Sequence, residues 1–193
     1  HRVYLWISKY TIARADAIRV MSEGQKQKLL RAAVLPQIIR VIATPVDISR
    51  FENFEAQANP NQKKLLENLR GQTHAGGKKT VLWVGRDDAA KDLGTLDKAI
   101  NIVIAKKGKE NVGFWMVGVK KIPDDLIDII TAAGGVDSAD LPAYYLISDL
   151  LVSSSSSESF GKVLVEANAC GRPVVATATT GAKEIIADGY NGY

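Results

Sequence analysis

The chain has 193 residues, 46% hydrophobic and 24% charged, the balance of one or two globular domains rather than of a disordered or fibrous chain. No apolar run approaches the ~20 residues of a membrane-spanning helix and no stretch reads as a secretory signal. Cys170 stands alone, so no internal disulfide can form, and with only His1 and His74 beside it a zinc site is not expected. A reducing cytoplasm suits that usage. The formal charge of +4 comes from scattered lysines without interleaved aromatics, so nucleic acid is not the expected partner, whereas an anionic ligand is compatible.

The first fifty residues read as helix (Trp6 to Arg14), strand (Ala17 to Met21), helix (Glu23 to about Ala33, with Ser22 as N-cap) and strand (Ile38 to Ala43). These elements are too few to bury a core alone. From Glu52 to Thr80 the sequence turns polar around one helical patch, Lys63 to Leu69, with Asn59-Pro60-Asn61 and Gly76-Gly77 beside it. Residues 52–79 therefore suit an interdomain linker, and a surface excursion reads almost as well.

Apolar runs then alternate with helical ones: Val81 to Val84, a helix from Thr95 to Lys106, and Val112 to Val117. Continuous hydrophobic strands spaced by helices predict a parallel α/β sheet covered on both faces, with ligands beyond the carboxyl ends of its strands. Gly85-Arg86 falls at such an end, and Lys91 follows in the same loop. A planar guanidinium and a point-charge ammonium there can clamp a diphosphate, although solvated surface is the plainer reading of the spacing alone. Ile127 to Thr131 is β-branched enough for a strand, and a helix from Asp124 to Ala133 is the alternative. Leu141 to Ile147 reads as a helix and Asp149 to Ser153 as a strand. The serines Ser153 to Ser157 that follow suit a tight loop better than a flexible linker.

The richest stretch runs from Ser157 to Ala176. A helix is expected from Gly161 to Cys170, stopped by Gly171 and Pro173, and then a buried strand from Pro173 to Thr177. Apolar residues cover most of that helix, and Lys162 and Glu166, four apart, make its only charged stripe. Glu158 precedes the first turn, where free N–H groups and the dipole favour a negative ligand. The arrangement offers an anion site between two carboxylates. It also reads as an ordinary surface Lys/Glu pair with Glu158 as a capping charge.

Glu158-Ser159-Phe160-Gly161, then Val165-Glu166-Ala167-Asn168-Ala169-Cys170-Gly171-Arg172-Pro173-Val174-Val175-Ala176, resembles the signature of retaining glycosyltransferases of family 4. Their GT-B architecture sets two Rossmann-like domains face to face across a cleft. The match extends into Thr180 to Ile186, and Val84-Gly85-Arg86 with Lys91 resembles the family's diphosphate-binding loop. Ala15 to Glu23 and Ile42 to Phe51 are similar to the end of its N-terminal domain, with Thr44-Pro45 where the family usually has Asn-Gly.

The resemblance implies the end of an acceptor-side Rossmann-like domain over residues 1–51, and a truncated donor-binding domain over 80–193. The chain then reads as a fragment whose missing N-terminal half supplies the acceptor site. The implied reaction is transfer of a hexosyl group from a nucleotide diphosphate sugar, UDP- or GDP-linked, with retention, in glycan, polysaccharide or glycolipid synthesis. Arg86, Lys91 and Glu158 carry the chemistry in this reading, and Gly85, Ser159, Phe160, Gly161, Lys162 and Glu166 complete the donor site. Glu158 would hold the donor sugar's hydroxyls and Glu166 those of the ribose. No cofactor or metal is implied, and an acceptor carried on a membrane surface is compatible. Alternatives are a nucleotide-sugar epimerase of the same architecture, for which the two histidines are poorly placed, and a non-catalytic nucleotide-sugar-binding module.

Overall fold

The computed structural model describes residues 10–12, 14–73, 77–119, 121–122 and 124–193. Of the helix expected from Trp6 to Arg14, residues 10–12 are helical, while 1–9 and 13 lie outside the described residues, as do His74, Lys120 and Pro123. The chain divides into two compact units, His1–Pro45 and Val46–Tyr193.

The first unit contains β1 (Ile18–Val20), α1 (Glu23–Arg31) and β2 (Ile39–Val41). The strands pair in parallel, Ile18 opposite Ile39, so the connection crosses over through α1. Ser22 caps α1 as expected: its hydroxyl accepts from the N–H of Gln25 at 3.3 Å.

The second unit opens with α2 (Ile48–Glu52), α3 (Phe54–Gln57) and α4 (Pro60–Thr73). Next come β3 (Lys79–Val84), α5 (Leu93–Lys107), β4 (Val112–Val117) and β5 (Ile130–Gly134). The chain continues through α6 (Leu141–Leu146), β6 (Leu150–Ser153), α7 (Lys162–Ala169), β7 (Val174–Ala176) and α8 (Ala182–Ile185). The five strands form one parallel sheet in the order β5-β4-β3-β6-β7. The chain starts in the middle, builds outward to β5, then returns to the other side of β3. Strand order therefore reverses between β3 and β6, the crevice at which open α/β sheets bind ligands.

Both faces of the sheet are buried, as continuous hydrophobic strands require. Alternation along β4 sends Phe114 and Met116, with Trp83 of β3, to a cluster with Leu96 and Ile100 of α5. Trp115 and Val117, with Leu82, go to the opposite cluster, which holds Tyr145 of α6 and Leu164 and Ala167 of α7.

Two expectations differ from the structure. The expected linker is largely helical, and Phe51, Phe54, Leu66 and Leu69 lie in the same core cluster as Tyr145 and Leu164. The compact unit accordingly begins at Val46 rather than at residue 80. Asn59-Pro60, which resembles a turn, is a helix start: the Asn59 side chain accepts from the N–H of Gln62 at 3.0 Å, and proline is preorganised for a first turn. The strand expected from Ile127 begins at Ile130, and its helical alternative reduces to a short 3-10 turn, Asp124–Leu126. Pairing with β4 sets the strand's start, with Ile130 opposite Phe114, and leaves Ile127 exposed.

Candidate functional site

Two loops leave the sheet on either side of the order reversal, residues 85–92 after β3 and 154–161 after β6, and hydrogen bonds join them. In the first loop Asp88 caps the 3-10 turn Ala89–Lys91, and Asp92 caps α5 by accepting from the Thr95 N–H at 3.2 Å. Lys91 is thereby held between two capped turns. From the second loop the buried Ser154 donates its hydroxyl to the Lys91 carbonyl at 2.7 Å, and the Ser156 N–H donates to the Ala90 carbonyl at 2.9 Å. The serine run is the tight loop that its position suggests.

These bonds bring the Lys91 ammonium to 2.8 Å from a Glu158 carboxylate oxygen, with side-chain exposures of 18% and 24%. The Glu158 carbonyl accepts from the Gly181 N–H at 3.0 Å, so the loop after β7 supports the same segment. Ser159 and Phe160 are half-buried and lead into Gly161, which adopts φ +91° directly before α7. A Cβ at Gly161 would also lie 2.8 Å from Leu164, so glycine is needed there on both counts. The first N–H groups of α7, which a helix leaves without intrahelical partners, thus start beside the Lys91–Glu158 pair.

Not every expected site residue joins this cluster. Arg86 is exposed and makes no ion pair among the described residues. Gly85 donates its N–H to the Val117 carbonyl at 3.0 Å, which continues the β3–β4 ladder by one residue. Gly118, at φ +97°, packs so close to Gly85 that a side chain there would overlap the Gly85 carbonyl.

The expected surface stripe on α7 is half buried. Lys162 is exposed, but Glu166 is only 4% exposed and its Oε1 lies 3.9 Å from the Lys162 ammonium. Its Oε2 accepts from the hydroxyl of Tyr145 at 2.8 Å, a partner that the sequence reading did not single out. Burial holds the Tyr145 phenol well above its ordinary 10.0, and the Glu166 carboxylate pushes it the same way. Tyr145 is therefore a donor throughout the physiological range. Burial likewise pushes the Cys170 thiol up to about 12, which leaves it unreactive.

The arrangement provides a cation and helix N–H groups for an anion, with a carboxylate on either side. Among the described residues no group of three His, Cys, Asp or Glu side chains is arranged to hold a metal, and no helix is long and apolar enough to cross a membrane.

Comparison with known proteins gives a consistent picture. A D-inositol 3-phosphate glycosyltransferase of Salinispora tropica is 40% identical over 199 residues, covering 94% of this chain and 40% of that protein. An uncharacterized 41.2 kDa protein in the cps region of Klebsiella pneumoniae is 27% identical, covering 99% of this chain and 51% of its own length. The chain thus spans about half, or less, of these relatives. Among solved structures, sucrose-phosphate synthase of Thermosynechococcus elongatus superposes with a TM-score of 0.74 at 24% identity, over 100% of this chain and 48% of that one. The Anabaena protein HepE, in complex with UDP and glucose, gives 0.72 at 23% identity, over 93% and 49%. These two likenesses concern the fold, an α/β sheet with helices on both faces as in GT-B proteins. Residues 66–193 match the family described as glycosyl transferases group 1, and the chain belongs to that family.

Proposed function

We propose that residues 46–193 are the donor-binding part of a retaining, metal-independent glycosyltransferase of family 4, which transfers a hexosyl group from a nucleotide diphosphate sugar. One observation carries this reading. Lys91 and Glu158, on loops from the two strands that flank the order reversal, meet at 2.8 Å beside the start of α7. A leaving diphosphate gathers negative charge while the sugar becomes oxocarbenium-like, so fixed positive groups must be aimed where that charge develops. Lys91 and the first N–H groups of α7 suit that task, and exposed Arg86 is free to close over the diphosphate.

Glu158 holds the donor sugar's hydroxyls in this reading, and Glu166 those of the ribose. Neither acts as the carboxylate pair of a retaining glycosidase. The HepE complex with UDP and glucose makes a UDP-linked donor the first to try, with GDP-linked donors next. Residues 1–45 belong to the acceptor-side domain, and the acceptor is one used in glycan, polysaccharide or glycolipid synthesis, in the cytoplasm or at the inner face of a membrane.

Thermal unfolding against UDP, GDP, ADP and their sugars, with Arg86→Ala and Glu166→Ala alongside, tests the reading. A ligand at a hundred times its dissociation constant adds roughly 2.7 kcal/mol. One nucleotide family stabilising the parent and neither variant supports the donor site. Equal stabilisation of parent and both variants overturns it.

A further inference from the structure

We propose that Tyr145 is a positioning residue for the donor: its hydroxyl holds one oxygen of Glu166 so that the other faces a ribose hydroxyl of the bound nucleotide. The proposal rests on the reading of Glu166 as the ribose contact. It starts from an apparent extravagance in the core. Tyr145 is fully buried on α6, edge-on to Phe51 with ring centroids 5.9 Å apart at 71°. Packing alone would be served as well by phenylalanine, which brings no hydroxyl needing a partner. Glu166 is buried on α7, where an apolar residue would spare the desolvation of a charge. Each polar group is accounted for by the other, yet the pair as a whole is not explained by stability.

Geometry gives the pair a use. A carboxylate on a flexible stem rotates, and one that must accept from a particular hydroxyl loses affinity for every orientation that it must give up. Tyr145 donates its single proton to Oε2 at 2.8 Å, which fixes the plane of the carboxylate. Oε1 is left on the side marked by Lys162, whose half-exposed ammonium lies 3.9 Å away. Oε1 is thus the oxygen on the side of the exposed Lys162. The Glu166 backbone stands five residues, or ~7.5 Å along the helix, from Gly161, and its side chain leans back toward the helix start, a span that suits a ribose when the diphosphate is at that start.

The experiment compares binding of UDP, GDP or ADP, whichever the parent binds, with its 2′,3′-dideoxy counterpart. The parent is expected to prefer the ribonucleotide by about tenfold or more, the effect of hydrogen bonds to a charged group. Tyr145→Phe should reduce that preference to under about threefold while leaving dideoxynucleotide affinity unchanged. Phe51→Leu, which loosens the same core without touching the hydroxyl, should keep it. A Tyr145→Phe protein with the full preference overturns the proposal. If the parent itself shows no preference, or Glu166→Gln keeps it whole, the ribose reading of Glu166 falls and takes the proposal with it. Should Tyr145→Phe fail to fold because it strands a buried carboxylate, the substitution is read in the Glu166→Gln background. There Tyr145→Phe should leave the residual preference unchanged, because Tyr145 acts only through the Glu166 carboxylate, and a further drop overturns the proposal.

Discussion

The Lys91–Glu158 pair makes a prediction with opposite signs in its two readouts. At 2.8 Å and an effective dielectric of about 20, the gross attraction is about 6 kcal/mol. Desolvation and side-chain ordering offset most of it. With both side chains less than a quarter exposed, the pair stands between surface pairs, worth about 0.2–1 kcal/mol, and buried ones, whose breaking costs about 3–5. A coupling of about 1–2 kcal/mol is expected on that scale. Lys91→Met and Glu158→Gln should each lower the unfolding midpoint by about 3–6 °C, and the double variant by little more than either alone. In nucleotide binding the two should diverge. Lys91→Met removes the cation for the diphosphate and should weaken UDP, GDP or ADP binding by about tenfold. Glu158→Gln removes the competitor for that cation and a like charge beside the phosphates, so binding should strengthen by about threefold. Thermal unfolding and calorimetric titration of the four proteins read both effects. Coupling below about 0.3 kcal/mol, or a Glu158→Gln protein that binds diphosphate more weakly than the parent, would refute the reasoning.

Gly118→Ala should destabilise the second unit by about 2–3 kcal/mol and weaken nucleotide binding, because a Cβ at φ +97° overlaps the Gly85 carbonyl; a urea midpoint and a titration check both. Phe54→Ala, in what resembles a linker, should cost about 3–5 kcal/mol, since Phe54 is 3% exposed in the core of the 46–193 unit; an effect under about 0.5 kcal/mol in chemical unfolding would return the segment to linker status. The folded state holds the Tyr145 and Cys170 protons longer than the unfolded chain. Their contribution is therefore complete below about pH 9 and is lost as pH rises toward about 12, with Cys170→Ala flattening the decline in urea midpoints.

Much of the proposed donor site is legible in the sequence because its parts are local. Gly161 and Gly171 bound α7 within a residue of the expected helix, and Val112 to Val117 forms the strand that its apolar run indicates. Glu158 and Glu166 fall on the loop and helix assigned to them. What the sequence hides are partnerships between elements. Lys91 and Glu158 are 67 residues apart, and Tyr145 and Glu166 are 21 apart, so only the order of strands in the sheet and the packing of α6 on α7 bring them together. Residues 52–73 mislead for a related reason. Their mean composition is polar, yet Phe54, Leu66 and Leu69 occupy the buried sides of α3 and α4, and apolar residues spread among charged and amide side chains do not stand out.

A crystal structure of the chain with the nucleoside diphosphate that stabilises it most is the most direct test of the donor-site account. The account predicts phosphate oxygens within hydrogen-bond distance of the Lys91 ammonium and the first N–H groups of α7, with a ribose hydroxyl on Glu166 Oε1. A nucleotide bound elsewhere, such as in the cleft lined by Asn168, Arg172, Tyr190 and Asn191, with the Lys91–Glu158 pair undisturbed, would contradict it.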